Sequence, residues 1–491
     1  MLLVVAALAI WVGSRWSVWF HNVEEEPYTP AATPHRVLLT FGDADGLHSR
    51  NVSWQCDTIV RPSELQLVCL SDSDTVRVEA QGEVFRSRSG QAAYYVARLR
   101  NLKPDERYAY RAVTDGKASP WYDFHTYEHP TPNTHHPSPN TQHPTPNTHH
   151  PTPITHHPSP ITHHPTPITY LYVGDVQDTL GGQANRYLRE ALARHPETEF
   201  LVCGGDLTER PTDQHWAETF RDIDSVAQHL PLLCVTGNHD YLKGVIMRLE
   251  RRFPLVLSYF LDSKVDDNMV YTMSYGPAQF FLLDSNREFL YLKAQRDWLE
   301  RELKASTAHW KIVVLHHPLF SIKGNNNLIQ RWFFNDLIEQ YGVDLVMQGH
   351  EHAYARMTRH DDEGRPTTPV YTVSHCSPKN YRIEFSDRFD KFGISSRYYQ
   401  TVTIAPDTLT LSTYEVYNHT LYDSLLIVRS APRGRLLPTG RKKAPRPQII
   451  DPGRNIPEYL EFTPDPNSKK DQKYAARIAD YKQRHPERLA K

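Results

Sequence analysis

The sequence predicts an α/β domain preceded by a small all-β sandwich, and three observations carry that prediction. Residues 34–128 read as short alternating apolar runs broken by turn residues, residues 168–430 alternate apolar β-rich runs with helical periodicity, and a Pro/His/Thr repeat separates the two textures. With 491 residues, 39% hydrophobic and 23% charged, the chain can fill at least one sizeable core and is neither disordered nor fibrous as a whole.

Residues 1–22 open with MLLVVAALAIWVGSRWSVWF, interrupted only by Gly13, Ser14, Arg15 and Ser17 and followed by the acidic stretch from Glu24 to Pro27. This reads as a signal peptide or a single membrane anchor, which makes the protein exported: periplasmic, secreted or membrane-anchored facing outward. A basic leading region and a small-residue cleavage site are both missing, so cleavage and retention stay open. In residues 34–128 the runs RVLLTF, NVSWQC, ELQLVCL, TVRVEA, AYYVARL and RYAYRAVT describe an antiparallel sandwich. The stretch NLKPDERYAYRAV with SPWYDFHTY resembles the last strands of a fibronectin type III module. Cys56 and Cys69 could bridge there in an oxidising compartment, Cys203 and Cys234 sit in strand-like core runs, and Cys376 is left over.

The linker, residues 129–167, belongs to a 7-residue repeat that packs 12 of the 37 prolines and 10 of the 27 histidines into 41 residues. Alternate prolines forbid helix and sheet ladders, so an extended spacer is expected. Beyond it, ITYLYVGD, ANRYLREALARH, TEFLVCGGD, DQHWAETFRDIDSVAQHL and PLLCVTGNHD give strand, helix, strand, helix, strand, the order of βαβ units. Further strands are read at YTMSYG, AQFFLLD, WKIVVLHHP and VDLVMQGHEH, with helices at AQRDWLERELKAS and NLIQRWFFNDLIEQYG, and a second sheet is completed past residue 395. The tail, residues 431–491, is Pro-rich and then helical from Lys469 to Ala490. Net charge is −2, which removes wholesale nucleic-acid binding, although residues 433–491 hold 15 basic against 7 acidic side chains. That tail either meets an anionic membrane or crosses back over the α/β domain.

One feature recurs five times: an apolar strand ends in a tight, often Gly-bearing turn that presents Asp, Asn or His. These are Asp175 (VGDVQ), Asp206 (GGDLT), Asn238 with His239 (TGNHD), His316 (VLHHP), and His350 with His352 (QGHEH). Loops at the carboxyl ends of strands in an α/β sheet converge on one crevice, so the five can meet. Hard oxygen and imidazole ligands without thiolate suit two divalent metals, Mn, Zn or Fe.

These residues resemble the calcineurin-like metallophosphoesterase superfamily, whose blocks run D-x-H, GD, GNH-D/E, H and GH-x-H. With the β-module in front, the arrangement is similar to purple acid phosphatases. The resemblance implies a four-layer α/β/β/α metallophosphoesterase sandwich and a dinuclear metal site. It makes Asp175 and His352 ligands of one metal, Asp206 the bridging carboxylate, and Asn238, His316 and His350 ligands of the other. His239 would sit beside the substrate, with Asp240 supporting its imidazolium. Two departures stand out: Glu209 replaces the tyrosine that gives purple enzymes their colour, and Gln177, a metal ligand or supporting donor, stands where the superfamily often has His. His317 competes with His316; the following Pro318-Leu319-Phe320 matches the family pattern behind His316, which leaves His317 as a metal ligand or supporting residue that could line the cleft.

The implied reaction is hydrolysis of phosphate monoesters, in which two metals lower the pKa of a bridging water to about 7 and the resulting hydroxide attacks phosphorus in line. Arg356, four residues past His352, and Lys379, Asn380 and Tyr381 are candidate substrate contacts. A phosphodiesterase or nucleotidase shares the same metal blocks. A surface binding protein with a degenerate catalytic domain is the rival of another class, and the intact Asp206, Asn238, His239, His350 and His352 argue against it. Membrane association through the N-terminal segment is a further expectation.

Overall fold

The computed structural model describes residues 20–489 together with 12, 13 and 16, except 73–74, 130–166, 179, 245, 260–264, 266–268, 325–326 and 430–445. The signal-or-anchor expectation therefore falls almost wholly outside the described residues. Among those residues no helix is long and apolar enough to cross a membrane.

The N-terminal β-domain has two layers. Ser63–Cys69, Thr75–Glu79, Arg107–Thr114, Lys117–Ala118 and Tyr122–His125 form one antiparallel sheet. Period-two alternation turns Leu65, Leu67, Tyr108, Tyr110 and Ala112 onto a core shared with Trp54, Tyr95 and Ala97 of the other layer. Trp54 stacks on Tyr95 with centroids 5.6 Å apart and donates from Nε1 to Thr114 Oγ1 at 3.0 Å, which ties the layers together. Cys56 and Cys69 lie in this core as free thiols, so the bridge considered for them is not made.

The second layer does not stop at the domain boundary. Gln81–Arg86, Gln91–Leu99, Arg50–Gln55 and His35–Phe41 follow one another, and Thr40 then pairs in parallel with Leu232, so one 11-stranded sheet runs through both domains. Tyr110 Oη donating to the Gln228 carbonyl at 2.7 Å and Gln228 Nε2 donating to the Val37 carbonyl at 3.0 Å lock the joint. The Pro/His/Thr spacer lies outside the described residues, but its two ends are visible. A Cβ placed on Gly276 would be 2.8 Å from both His129 Cβ and Ile168 Cδ1, so the chain leaves and re-enters at the same point. His129 is fixed there by Glu199 Oε2 at 2.8 Å. The distance between the domains is thus set by the shared sheet and not by the length of the repeat.

Past Leu232–Cys234 the large sheet continues through Thr198–Cys203, Ile168–Val173, Tyr398–Ile404, Thr408–Glu415, Leu421–Val428 and Gln448–Ile450. A second sheet of seven strands holds Ala278–Leu282, Trp310–Val314, Leu345–Gln348 and Pro366–Val373 as parallel neighbours. Between the sheets Tyr170, Phe200 and Phe280 meet with centroids 5.2 to 5.7 Å apart. On the outer face of the second sheet, Phe281, Val313 and Val346 pack on Leu292, Trp298, Phe334 and Leu337 from helices Phe289–Ala305 and Leu328–Gln340. Helices Ala184–Arg194 and Asp213–Asp222 cover the first sheet with Ala191 and Trp216. Helix, sheet, sheet, helix is the four-layer order expected, and burial on both faces explains why these strands read as unbroken apolar runs.

The C-terminal tail crosses back. Ser468 Oγ caps helix Lys469–Arg484 by accepting from the Asp471 N–H at 3.2 Å, and Tyr474, Ile478 and Tyr481, at helical spacing, bury against Phe385 and Phe392. The helix stops at Arg484, short of Ala490, where Pro486 cannot continue it. Its cations meet carboxylates of the domain, Arg477 with Glu384 at 2.9 Å and Arg484 with Asp387.

Candidate metal centre

Five strand ends deliver the side chains. Asp175 follows Ile168–Val173, Asp206 follows Thr198–Cys203, Asn238 follows Leu232–Cys234, His316 follows Trp310–Val314, and His350 and His352 follow Leu345–Gln348. Three of the five turns reverse sharply at the point of delivery: Asp175, Asp206 and His350 hold φ of 47°, 51° and 68°. Left-handed backbone at non-Gly residues is strained and persists at functional sites where the surroundings enforce it. The glycines leave room for carboxylates. A Cβ on Gly237 would lie 2.1 Å from Asp206 Oδ1, and one on Gly349 would lie 2.3 Å from Asp175 Oδ2.

The result is one constellation, with Asp175, Asp206, His316 and His352 buried and Asn238 and His350 half-buried. Asp175, Asp206 and His316 each offer a ligand atom, and the three lie within 4.8 Å of one another. Asn238 Oδ1 sits 3.1 Å from His316 Nε2 and 2.8 Å from His350 Nδ1, and His316 Nε2 is 3.3 Å from Asp206 Oδ2. On the other side, His352 Nε2 is 3.4 Å from Asp175 Oδ1 and 2.8 Å from Gln177 Nε2. Second contacts orient the rings: His316 Nδ1 to the Gly204 carbonyl at 2.9 Å and His352 Nδ1 to the Lys379 carbonyl at 3.1 Å. Backbone N–H groups of His239 and His350 donate to Asp206 and Asp175 at 2.7 Å. Burial would push His316 down, but the Asp206 and Asp175 carboxylates outweigh it and hold the imidazole up at about 10. Burial opposes ionisation of Asp206 too, yet His316 and His239 keep its carboxyl far below the usual range. Two carboxylates, a carbonyl oxygen and three imidazoles, converging at the edge of a cavity, fit a pair of divalent ions.

His239 faces an adjoining cavity of about 650 Å³ lined by Arg210, Asn238, Tyr241, Lys243 and residues Phe20 to Val23. Its Nδ1 lies 2.7 Å from the Glu209 carbonyl and 2.5 Å from Arg210 Nη1. Glu209 Oε1 pairs with Lys379 Nζ at 2.7 Å, so the glutamate in the tyrosine position organises cations at the mouth. Tyr381 stacks on the His352 ring, centroids 4.1 Å apart, and burial with the neighbouring Asp175 and Asp206 charges pushes its phenol up to about 12.

Three expectations are corrected. Arg356 is not at the site: it is buried in strand Tyr354–His360 and bonded to Asp423 at 2.7 Å and Asp451 at 2.8 Å. Asp240 does not support His239, because its Oδ2 accepts from the Gly237 N–H at 2.7 Å, and burial beside Asp206 raises its pKa well above the usual range. Asn380 opens instead on a cavity with Arg382, Phe462 and Tyr474 under the tail helix. His317, the other residue expected on a metal or in support of one, packs against the His350 ring, centroids 4.2 Å apart, with Nδ1 3.0 Å from Ser285 Oγ, and burial and His316 bring it down to about 3. Sequence reasoning missed His375, which is buried and stacked behind His352 at 5.3 Å, and Asp284, buried at the end of Ala278–Leu282. Asp284 carried the same signal as the others, an acid closing an apolar strand (FFLLD).

The chain matches the family Calcineurin-like phosphoesterase over residues 168–354 and the family Purple acid Phosphatase, N-terminal domain over residues 34–126. It is a calcineurin-like phosphoesterase domain behind a purple acid phosphatase N-terminal domain. Among its relatives, purple acid phosphatase 23 of Arabidopsis thaliana is 24% identical over 36% of this chain and 39% of that protein. Phosphoenolpyruvate phosphatase of Allium cepa is 23% identical over 67% of this chain and 63% of that protein. The chain thus spans between 38% and 61% of the first three curated relatives, all purple acid phosphatases of Arabidopsis thaliana. Among solved structures, purple acid phosphatase PPD1 from yellow lupin (Lupinus luteus) seeds superposes with TM-score 0.64 at 15% identity, covering 81% of this chain and 75% of that one. PhoD superposes with TM-score 0.55 at 12% identity, covering 93% and 99%. These two likenesses establish the fold.

Proposed function

We propose that the protein is an exported, dinuclear-metal phosphoesterase that hydrolyses phosphate monoesters. The observation that carries this reading is the convergence of Asp175, Asp206, Asn238, His316, His350 and His352 beside an open cavity lined by His239 and Arg210. The purple acid phosphatase and phosphoenolpyruvate phosphatase relatives support a monoester substrate.

Asp175 and His352, with Gln177 as a neutral third donor, would hold one ion, and Asn238, His316 and His350 the other, with Asp206 between them. Bound there, two divalent ions supply Lewis-acid polarisation of a phosphoryl oxygen and an activated water. The protein's own part is positional and electrostatic. Its ring carbonyl contacts fix the two histidines His316 and His352, and its buried carboxylates keep the pair negative enough to retain cations. His239, whose Nδ1 lies 2.7 Å from the Glu209 carbonyl, lines the cavity, where it would protonate or stabilise the leaving oxygen, a role worth about 10² to 10⁴ in rate. Arg210 and Lys379, both tied to Glu209, supply positive charge for the phosphate dianion.

The test is turnover of an aryl phosphomonoester and its matching diester at equal concentration by protein loaded in turn with Mn, Zn and Fe. Monoester preference is expected. Diester preference would transfer the reading to a phosphodiesterase, and no turnover with any metal would overturn it.

A further inference from the structure

Exposed apolar side chains stand on the loop beside the His239 cavity and on the first turns of two helices. Ile246 is 64% exposed, Leu290 76% and Trp332 66%, with Phe289, Leu328 and Ile329 exposed beside them. Ile246 and Tyr291 line one cavity, Phe289, Leu328 and Trp332 line another with the Phe289 ring 5.9 Å from Trp332, and the first turn of helix Phe289–Ala305 carries both Phe289 and Tyr291. Isolated exposed apolar residues need no explanation, but a contiguous patch marks an interaction surface.

The apolar N-terminal segment arrives at this same edge. Asn22 and Lys243 exchange hydrogen bonds, Asn22 Nδ2 to the Lys243 carbonyl at 3.1 Å and the Lys243 N–H to Asn22 Oδ1 at 2.8 Å. Phe20 lines the cavity with Met247, next to the exposed Ile246, and the Trp16 and Phe20 rings are 4.5 Å apart. Phe20 to Val23, which line that cavity, follow a mostly apolar sequence, and aromatic side chains at such a boundary are those favoured at a membrane interface. Lys243 and Arg248, which line the two cavities on either side of Met247, add positive charge between the segment and the patch.

We infer that the loop carrying Ile246 and the first turns of helices Phe289–Ala305 and Leu328–Gln340 form one face that docks on a lipid bilayer, with the metal cleft at the membrane surface. The occupant follows from continuity with the apolar segment. The inference holds whichever phosphate ester is cleaved.

The experiment uses the full chain mixed with vesicles of phosphatidylcholine and phosphatidylglycerol. Spin labels are placed by Leu290→Cys and Trp332→Cys, with Val76→Cys, 53% exposed on the β-domain, as reference and labelled wild type as blank. Collision rates with oxygen and with a water-soluble nickel chelate report depth. Labels at 290 and 332 are expected to show an oxygen-to-nickel ratio several-fold above that at 76. Equal ratios at all three positions, protein that stays unbound in the supernatant, or dipolar broadening showing that two copies meet through position 290 would each overturn the proposal. All three positions are exposed, and thermal midpoints equal to wild type confirm folding.

Discussion

Replacing Arg356 by Met tests whether the residue is structural or contacts substrate. The guanidinium is 1% exposed and bonds to Asp423 at 2.7 Å, itself 1% exposed, with Asp451 at 2.8 Å and Asp390 at 3.4 Å. Removing one partner of a buried pair costs about 3–5 kcal/mol, because the other charge stays buried and unpaired. Here Asp423 keeps the Tyr354 hydroxyl at 2.7 Å and Lys391 Nζ at 4.0 Å, which places the loss at the lower end. A loss of about 3 kcal/mol lowers Tm by about 6–12 °C for a domain of this size. Scanning calorimetry of Arg356→Met reads that shift, and kcat/KM on an aryl phosphate, per folded molecule, is expected to stay within twofold of wild type (~0.4 kcal/mol). An unchanged Tm with a raised KM would refute the argument and return Arg356 to the substrate.

Four other outcomes follow from the same geometry. Gly237→Ala must displace Asp206, whose Oδ1 is 2.1 Å from the added Cβ, and a shift of about 1 Å costs on the order of 10² in rate, read with metal content by emission spectrometry; normal metal content and turnover would refute it. Gln177→His converts a neutral amide 2.8 Å from His352 into a nitrogen ligand, so metal retention against a chelator should rise about tenfold or more. His316 is held at about 10 in the metal-free chain, so ligation expels its proton and apparent metal affinity should climb about tenfold per pH unit between pH 6.5 and 9. The sign for the metal-free fold is opposite: the raised pKa means the His316 ion pair stabilises fully below pH 6.5 and that contribution is lost as pH rises through 10. Deleting residues 130–163 should leave Tm and turnover of small esters unchanged, because His129 and Ile168 already meet at Gly276; a collapse of either would show that the repeat is structural.

The sequence by itself determined the parts whose signal is local. An apolar run that ends in Gly-Asp or Gly-His marks a strand edge and its turn together, since buried strands must be apolar on both faces and only small residues let the turn pack under a carboxylate. Asp175, Asp206, Asn238, His350 and His352 were legible as the ends of such runs, His316 as the polar end of an apolar run without glycine, and the tail helix through Tyr474, Ile478 and Tyr481 at helical spacing. What depends on distant partners was not. Arg356 looked like a neighbour of His352, but in a strand it shares its face with Tyr354 and Thr358 and finds Asp423, 67 residues away. Asp240 follows His239 in sequence, yet the tight turn sends its carboxylate to the Gly237 N–H. The joint between domains rests on one parallel pairing, Thr40 with Leu232, and the placement of Phe20 to Val23 at the cavity rests on Asn22 meeting Lys243. Such pairings carry no periodicity. They arise when separate elements pack and each buried polar group takes the partner that packing brings within reach.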